Sequence, residues 1–148
     1  KGGHRQRHRP DRRAIAGERD RRERLRRAER ERRGASESVP GAVYRVALDP
    51  THPLAFGYPG WTYVLKRRVQ PVDFLADGWN VGVVRSGVPA AGFAGAEARE
   101  RLKDSLVFGV EGGGRGEVVY LADSPLFRGF WADGQLLFAN AVFGMEAW

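Results

Sequence analysis

Three side chains that could transfer protons or recognise charge lie in two loops, each of which follows a predicted strand. His52 lies in the loop Asp49–Tyr58, and Asp123 and Arg128 lie in the loop Asp123–Trp131. In open α/β sheets, ligands bind in the crevice outside the carboxyl ends of the strands. Two loops at that edge would bring His52, Asp123 and Arg128 into one pocket. In the competing interpretation the polar residues only complete turns, and the aromatic residues of both loops are core: Phe56, Phe127, Phe130 and Trp131.

No catalytic residue is predicted from the nucleophiles of the chain. Cysteine is absent, and no serine lies in the Gly-x-Ser-x-Gly turn that exposes a strained nucleophile. Ser124 follows Asp123, so a hydrolase that uses these two residues with His52 is one hypothesis. The favoured interpretation is a turn in which the Asp123 or Ser124 side chain bonds the backbone and ends the strand.

No metal site is predicted in this chain. A catalytic zinc takes three protein ligands, and the chain has only His4, His8 and His52, with no His-x-x-Glu pair. His4 and His8 lie among arginines in a segment predicted to be disordered. The glycine-rich Glu111–Glu117 leads directly into a strand, whereas phosphate-binding loops open onto a helix, so a hairpin turn is predicted there.

The elements that must position these residues follow from residue pattern. β-Branched and aromatic runs with partial alternation predict strands at 43–48, 61–65, 79–84, 106–110 and 118–122, the last two joined as a hairpin. A short amphipathic helix is predicted at 94–102. A buried helix is predicted at 135–143, with Leu136, Ala139, Asn140 and Phe143 on its inner face.

Charge divides the chain into two predicted parts. Residues 1–40 carry fifteen basic and seven acidic side chains, whereas residues 41–148 carry ten and eleven. The first part is predicted to be a disordered or solvated helical arm with a linker, and the second an α/β domain. Nucleic acid is not the expected partner of the arm, because acidic residues are interleaved with the arginines and no aromatic residue is present to stack on bases. No apolar run approaches the length of a membrane span.

Two stretches resemble a known family. The first is Asp49-Pro-Thr-His-Pro-Leu-Ala-Phe-Gly-Tyr58, and the second is Gly116–Ala141, which includes Tyr-Leu-Ala-Asp-Ser-Pro-Leu-Phe-Arg-Gly-Phe-Trp. They are similar to the C-terminal domain of some bacterial zinc carboxypeptidases of the carboxypeptidase A type. Val39-Pro-Gly-Ala-Val-Tyr-Arg-Val46 also fits, and the resemblance covers Val39 to Phe143. That domain is similar to class I glutamine amidotransferases.

The resemblance implies a fold and a role. The fold would be an incomplete class I glutamine amidotransferase-like (flavodoxin-like) α/β sheet with a C-terminal hairpin and helix, preceded by the charged arm. The family's zinc ligands and general base belong to a peptidase domain that would lie upstream, so zinc is expected there and no cofactor in this chain. The chain would be a non-catalytic accessory segment whose partner is that peptidase domain, in a periplasmic or extracellular protein. The alternative is a small α/β binding protein whose basic arm contacts nucleic acid or another polyanion.

Overall fold

The structure is a computed structural model that describes residues 12–144, with side chains from residue 18 onward. His4, His8 and the segment predicted to be disordered lie outside the described residues. The described part of the chain has no helix that is both long enough and apolar enough to cross a membrane.

Contacts divide the chain into two units, Lys1–Ala35 and Ser36–Trp148. The boundary predicted after residue 40 therefore falls inside the second unit. The reason is that the end of the predicted linker packs with the sheet, since Val39 is buried in the core and the Ser38 carbonyl accepts a hydrogen bond from Gly95 N.

Of the first unit the structure describes helix α1 (Arg12–Ser36), whose last residue belongs to the second unit. Opposite charges four residues apart support it, with side chains that are all more than half exposed. Such pairs stabilise a helix by a few tenths of a kcal/mol each. The three pairs are Arg22–Glu18 at 3.0 Å, Arg24–Asp20 at 2.7 Å and Arg27–Glu31 at 3.1 Å.

The second unit contains a curled, six-stranded antiparallel sheet and two helices. Its strands follow the order β2-β1-β3-β5-β6, and β4 pairs with β1. The strands are β1 (Gly41–Leu48), β2 (Trp61–Lys66), β3 (Gly78–Val84), β4 (Ala91–Phe93), β5 (Ser105–Gly113) and β6 (Gly116–Leu121), and the helices are α2 (Ala96–Leu102) and α3 (Ala132–Ala139).

The mixed α/β class is confirmed, but the sheet differs from the flavodoxin-like arrangement, in which the strands are parallel. Parallel neighbours need a crossover of a dozen or more residues, usually through a helix. Here β5 and β6 are joined by the tight turn Gly114–Arg115, with Gly114 at a φ of 61°. The predicted hairpin is therefore confirmed. The three-residue strand β4 was not predicted, because its sequence Ala-Gly-Phe carries no strand pattern.

The core lies between the sheet and the segments that cover it. Alternate residues of β1 point inward, and β5 is buried without interruption from Ser105 to Val110. Such an uninterrupted run indicates a strand covered on both faces. Gly82 lies against the ring of Phe108, where an added methyl group would come within 2.4 Å of a ring carbon, so β3 and β5 approach closely at that point.

Helix α3 packs along β2, and the inner face predicted for it is confirmed at Asn140 but wrong at Leu136 and Phe143, which are exposed. The buried residues are Gly134, Leu137 and Asn140, whereas Phe143 is 77% exposed. The register is set by polar contacts, since Tyr58 Oη accepts a hydrogen bond from Leu137 N at 2.9 Å. After Ala139 the chain continues as a π-helical turn, Asn140–Gly144, which further shifts the face presented by the following residues.

Candidate functional site

The two loops of the predicted pocket lie at opposite ends of the sheet. The first loop follows β1 and the second follows β6. Between these two strands lie three antiparallel pairings: β1 with β3, β3 with β5 and β5 with β6. Strand β6 therefore runs against β1, and their carboxyl ends point in opposite directions. The two loops were expected to share an edge because the carboxyl ends of parallel strands meet at one edge. Since these strands are antiparallel, the structure does not bring His52 together with Asp123, Ser124 or Arg128.

His52 has a structural role at the carboxyl end of β1. Its Nδ1 accepts a hydrogen bond from Leu54 N at 3.2 Å, which caps the 3-10 turn Pro53–Ala55. Its ring lies 5.5 Å from the ring of Trp79. Burial lowers the pKa of His52 below its ordinary value of 6.5, against smaller opposing effects of Glu117 and Asp49. A buried, neutral imidazole with Nδ1 as acceptor suits this cap.

Asp123 forms an ion pair with Lys66 at the other end of the sheet. The alternation of β2 turns Thr62, Val64 and Lys66 inward, so a lysine side chain enters the interior with 1% of its surface exposed. Lys66 Nζ donates to Asp123 Oδ2 at 2.6 Å, and Asp123 is 15% exposed. A buried charge is tolerated only when it is paired and hydrogen-bonded. The pair joins the two outer strands of the curled sheet, because Lys66 ends β2 and Asp123 follows β6.

The loop after β6 closes this side of the sheet. Trp131 Nε1 donates to the carbonyl of Tyr63 at 3.1 Å, which satisfies an acceptor on the outer edge of β2. Gly134 approaches Pro125 so closely that an added methyl group would lie 2.0 Å from the Pro125 carbonyl oxygen. Of the aromatic residues predicted to be core, Trp131 and Phe127 are half-buried, whereas Phe130 and Phe56 are exposed, so the core interpretation is wrong for the latter two.

Arg128 packs against its own loop. Its guanidinium carbon lies 5.2 Å from the centroid of the Phe127 ring, and Arg67 covers the same ring at 4.6 Å. Arg128 has a φ of 52°, a left-handed conformation that costs a non-glycine residue about 1 kcal/mol. The loop therefore holds the arginine beside the ring at some cost in backbone strain.

A second group of segments meets around Asn140. Its Nδ2 donates to the carbonyls of Leu54 at 3.1 Å and of Phe56 at 2.8 Å, which ties the π-helical turn to the loop after β1. Large apolar side chains remain exposed on these joined segments: Phe56 at 75%, Leu136 and Phe143.

Lys66 is the residue that the sequence analysis missed. The residue pattern of β2 points the other way, because the more apolar set is Trp61, Tyr63 and Leu65, whereas the structure buries Thr62, Val64 and Lys66. A lysine on the inner face of a strand requires a carboxylate partner, and Asp123 is the acidic residue at the corresponding end of the other outer strand.

Within the described residues, no three His, Asp or Glu side chains come together as a group that could hold a metal ion. No family model, no curated protein and no solved structure matches this chain.

Proposed function

We propose that this chain is a non-catalytic accessory segment of a zinc carboxypeptidase-like protein whose peptidase domain precedes it. The proposal starts from the similarity of Asp49–Tyr58 and Gly116–Ala141 to the C-terminal domain of such proteins. It includes the finer fold assignment, in which the antiparallel sheet is the C-terminal part of a class I glutamine amidotransferase-like domain. It also includes a periplasmic or extracellular location.

The observation that carries the proposal is that the side chains that could act in catalysis hold the fold together instead. His52 caps a 3-10 turn, and Asp123 neutralises the buried Lys66. Tyr58 bridges to α3, where it donates to the Asp133 carbonyl and accepts from Leu137 N. A catalytic acid or base must reach its substrate, whereas His52 is 7% exposed, Asp123 is 15% exposed, and each uses a polar atom to bond its own chain.

The exposed apolar side chains around Asn140 support an accessory role. Phe56, Leu136 and Phe143 lie on segments that Asn140 fixes to one another. Exposed apolar surface that is held in place by the fold is typical of a contact between domains or proteins. The proposed contact is with the peptidase domain. The described residues form no zinc-ligand set, and the zinc that the resemblance implies belongs to that domain.

The test is a peptidase assay on the purified chain with zinc and peptides that have a free C-terminus. We expect the same background rate with zinc and with a chelator. Hydrolysis that requires zinc and disappears on chelation would contradict the non-catalytic assignment. As a second, independent test, the coding sequence before Lys1 should contain a His-x-x-Glu pair followed by a distant His.

One feature of α1 favours the alternative, in which the arm binds a polyanion. Arg19, Arg22, Arg26 and Arg30 line one hollow along the helix together with Glu23, and only Arg22 of these arginines has an ion-pair partner in the part of the chain that the structure describes. Arginines along one helix face can contact successive phosphates. A titration of duplex DNA against salt decides this alternative. Affinity that falls steeply with salt would support it, and no binding at low salt would remove it.

A further inference from the structure

Strand β6 is the last strand of the sheet, and it pairs with β5 alone. Its register with β5 runs without a bulge, and beyond its end Ala122 N donates to the Val107 carbonyl at 2.9 Å. Because the backbone groups of an antiparallel strand point alternately to either side, every second residue counted back from Ala122 bonds to β5. The residues between them turn their N–H and C=O groups to the free edge, where no group in the described part of the chain bonds to them: Glu117, Val119 and Leu121.

The two edges of the sheet are protected differently. On β2, Trp131 Nε1 from the loop after β6 donates to the Tyr63 carbonyl. Strand edges that must not pair usually carry a lysine, a proline or a bulge. Strand β6 has the sequence Gly-Glu-Val-Val-Tyr-Leu and has none of these, and its charged residue, Glu117, lies near its start. Its edge is therefore open to another strand.

Two apolar side chains lie exposed on the outer face of β6. Val118 is 47% exposed and Tyr120 is 40% exposed, and their spacing of two residues places them on the same face. Tyr120 Oη donates to Glu111 Oε2 at 2.9 Å, which holds the ring beside β5. Val119 and Leu121 pack against the core on the other face. A strand that pairs with β6 would therefore meet apolar groups that the fold already holds in position.

A second copy of β6 matches this edge in an antiparallel register centred on Val119. Val119 then pairs with Val119 of the second copy, and Glu117 pairs with Leu121 in both directions, so that the free N–H and C=O groups of the edge are all used. The same register places Val118 opposite Tyr120 of the second copy on the outer face, and the reverse. Cross-strand pairs of an aromatic and a β-branched residue stabilise a sheet.

Charge and sequence favour this register. It places Arg115 opposite Asp123 of the second copy. Arg115 is exposed and has no ion-pair partner among residues 18–144, and Asp123 uses only one carboxylate oxygen for Lys66. A register centred on Glu117 would set two glutamates opposite each other, and like charges in that position destabilise a sheet. A register centred on Leu121 would bring Pro125, which has no N–H to donate, opposite Glu117.

We propose that β6 pairs with β6 of a second copy around a twofold axis at Val119, which joins the two sheets into one. The interface is isologous, as in most homodimers. Backbone hydrogen bonds along the edge hold it together, and the pairs Val118–Tyr120 and Arg115–Asp123 set its register. The dimer stands on the open edge of the sheet and requires neither a peptidase domain nor an accessory role. Its failure would therefore leave the proposed function untouched.

The test is cross-linking between introduced cysteines, since the chain has no cysteine of its own. In the proposed register, residues 118 and 120 of the two copies form a pair without hydrogen bonds, with Cα atoms about 4.5 Å apart, which suits a disulfide. Each of these residues lies about 7–8 Å from its own counterpart, beyond the reach of a disulfide. We expect an equal mixture of Val118→Cys and Tyr120→Cys to form the mixed disulfide dimer at least about tenfold faster than either variant alone.

Val88→Cys is the matched control for this cross-link. It makes the same exchange as Val118→Cys at a valine that is 63% exposed and lies outside the strands. Mixed with Tyr120→Cys, it should cross-link only at the slow rate of random collision.

Sedimentation equilibrium of the full chain measures association without a cross-link. Glu117→Pro removes one N–H from the free edge and leaves the bonds to β5 in place, so it should weaken the dimer at least about tenfold. Glu117→Ala removes the same side chain but keeps the N–H, and it should dimerise like the wild type. Urea unfolding checks that both variants fold.

Several outcomes would overturn the pairing. A wild type that is monomeric at every concentration reached would remove the dimer. A mixture that cross-links no faster than the Val88→Cys control would remove the contact between the strands, and equally fast cross-linking of Val118→Cys with itself would remove the register. A dimer that Glu117→Pro leaves unchanged would place the interface elsewhere, for example at the exposed Phe56 and Phe143.

Discussion

The Lys66–Asp123 pair predicts an asymmetric loss of stability when its two partners are changed one at a time. Asp123→Asn keeps the shape of the side chain but removes its charge, so the ammonium of Lys66, which is 1% exposed, stays buried without a counter-ion. Lys66→Met removes the buried ammonium and keeps an unbranched apolar stem. The carboxylate that remains is the more exposed partner, at 15% against 1% for Lys66.

The magnitudes follow from the burial of each group. Removal of one partner of a buried ion pair costs about 3–5 kcal/mol. Because Asp123 is 15% exposed, we expect the lower end, about 3 kcal/mol, for Asp123→Asn. Lys66→Met should cost about 1 kcal/mol, the cost of a polar group that loses its partner but retains water. The double variant should resemble Lys66→Met, because no buried cation remains.

Urea unfolding of the four proteins, followed by tryptophan fluorescence, measures these differences as shifts in midpoint at constant slope. Asp104→Asn is the matched control, since Asp104 faces Arg85 at 3.9 Å in an exposed pair and should change stability by less than about 0.5 kcal/mol. A cost of Asp123→Asn no greater than that of Asp104→Asn would refute the need of Lys66 for a counter-ion. Equal costs of the two single changes in the buried pair, additive in the double variant, would refute it as well.

Three further predictions concern single residues. Burial lowers the pKa of His52, so as the pH falls the unfolded chain binds a proton at His52 before the folded chain does. The stability of the wild type should therefore fall as the pH drops below 6.5. The urea midpoints of His52→Asn, which keeps a capping acceptor, should vary less over that range. Gly134→Ala should lower the melting temperature despite the better helix propensity of alanine, because its methyl group would overlap the Pro125 carbonyl; overpacking of this kind costs about 1–3 kcal/mol, and an unchanged melting temperature would contradict the close approach. Arg128→Gly should raise stability by up to about 1 kcal/mol in urea unfolding by relieving the left-handed φ, and a loss of stability would show that the contact with the Phe127 ring outweighs the strain.

Five of the six strands and the hairpin could be predicted from local pattern, but their arrangement could not. The alternation at 43–48 and 61–65 and the glycine turn before Val118 each specify a local structure. The pairing of β1 with β3 and of β3 with β5 is not specified by local pattern. It depends on contacts between residues far apart in the chain, such as Gly82 against Phe108, which the periodicity of the sequence does not predict.

The candidate site was predicted only in part, for the same reason. Asp123 and Arg128 lie in the loop after β6, but His52 lies at the opposite end of the sheet, since the expectation of one pocket rested on parallel strands. On the inner face of α3, Asn140 was predicted correctly, but Leu136 was predicted in place of Leu137, whose backbone N–H bonds to the Tyr58 hydroxyl. The hydrophobic pattern alone does not distinguish Leu136 from Leu137 as the residue that is buried.

The contacts that close the sheet also define an order of folding. Lys66 with Asp123 and Tyr63 with Trp131 are 57 and 68 residues apart in the chain, whereas the two strands of the β5–β6 hairpin are joined by a two-residue turn. Closing a long loop costs entropy before its contacts form, and chains dominated by such distant contacts fold slowly. We therefore expect the hairpin to form early and β2 to be covered late. During synthesis the inner face of β2 stays uncovered until residues 123–144 have been made. A nascent chain that stalls before them has Lys66 without its counter-ion and an open strand edge with which other chains can pair.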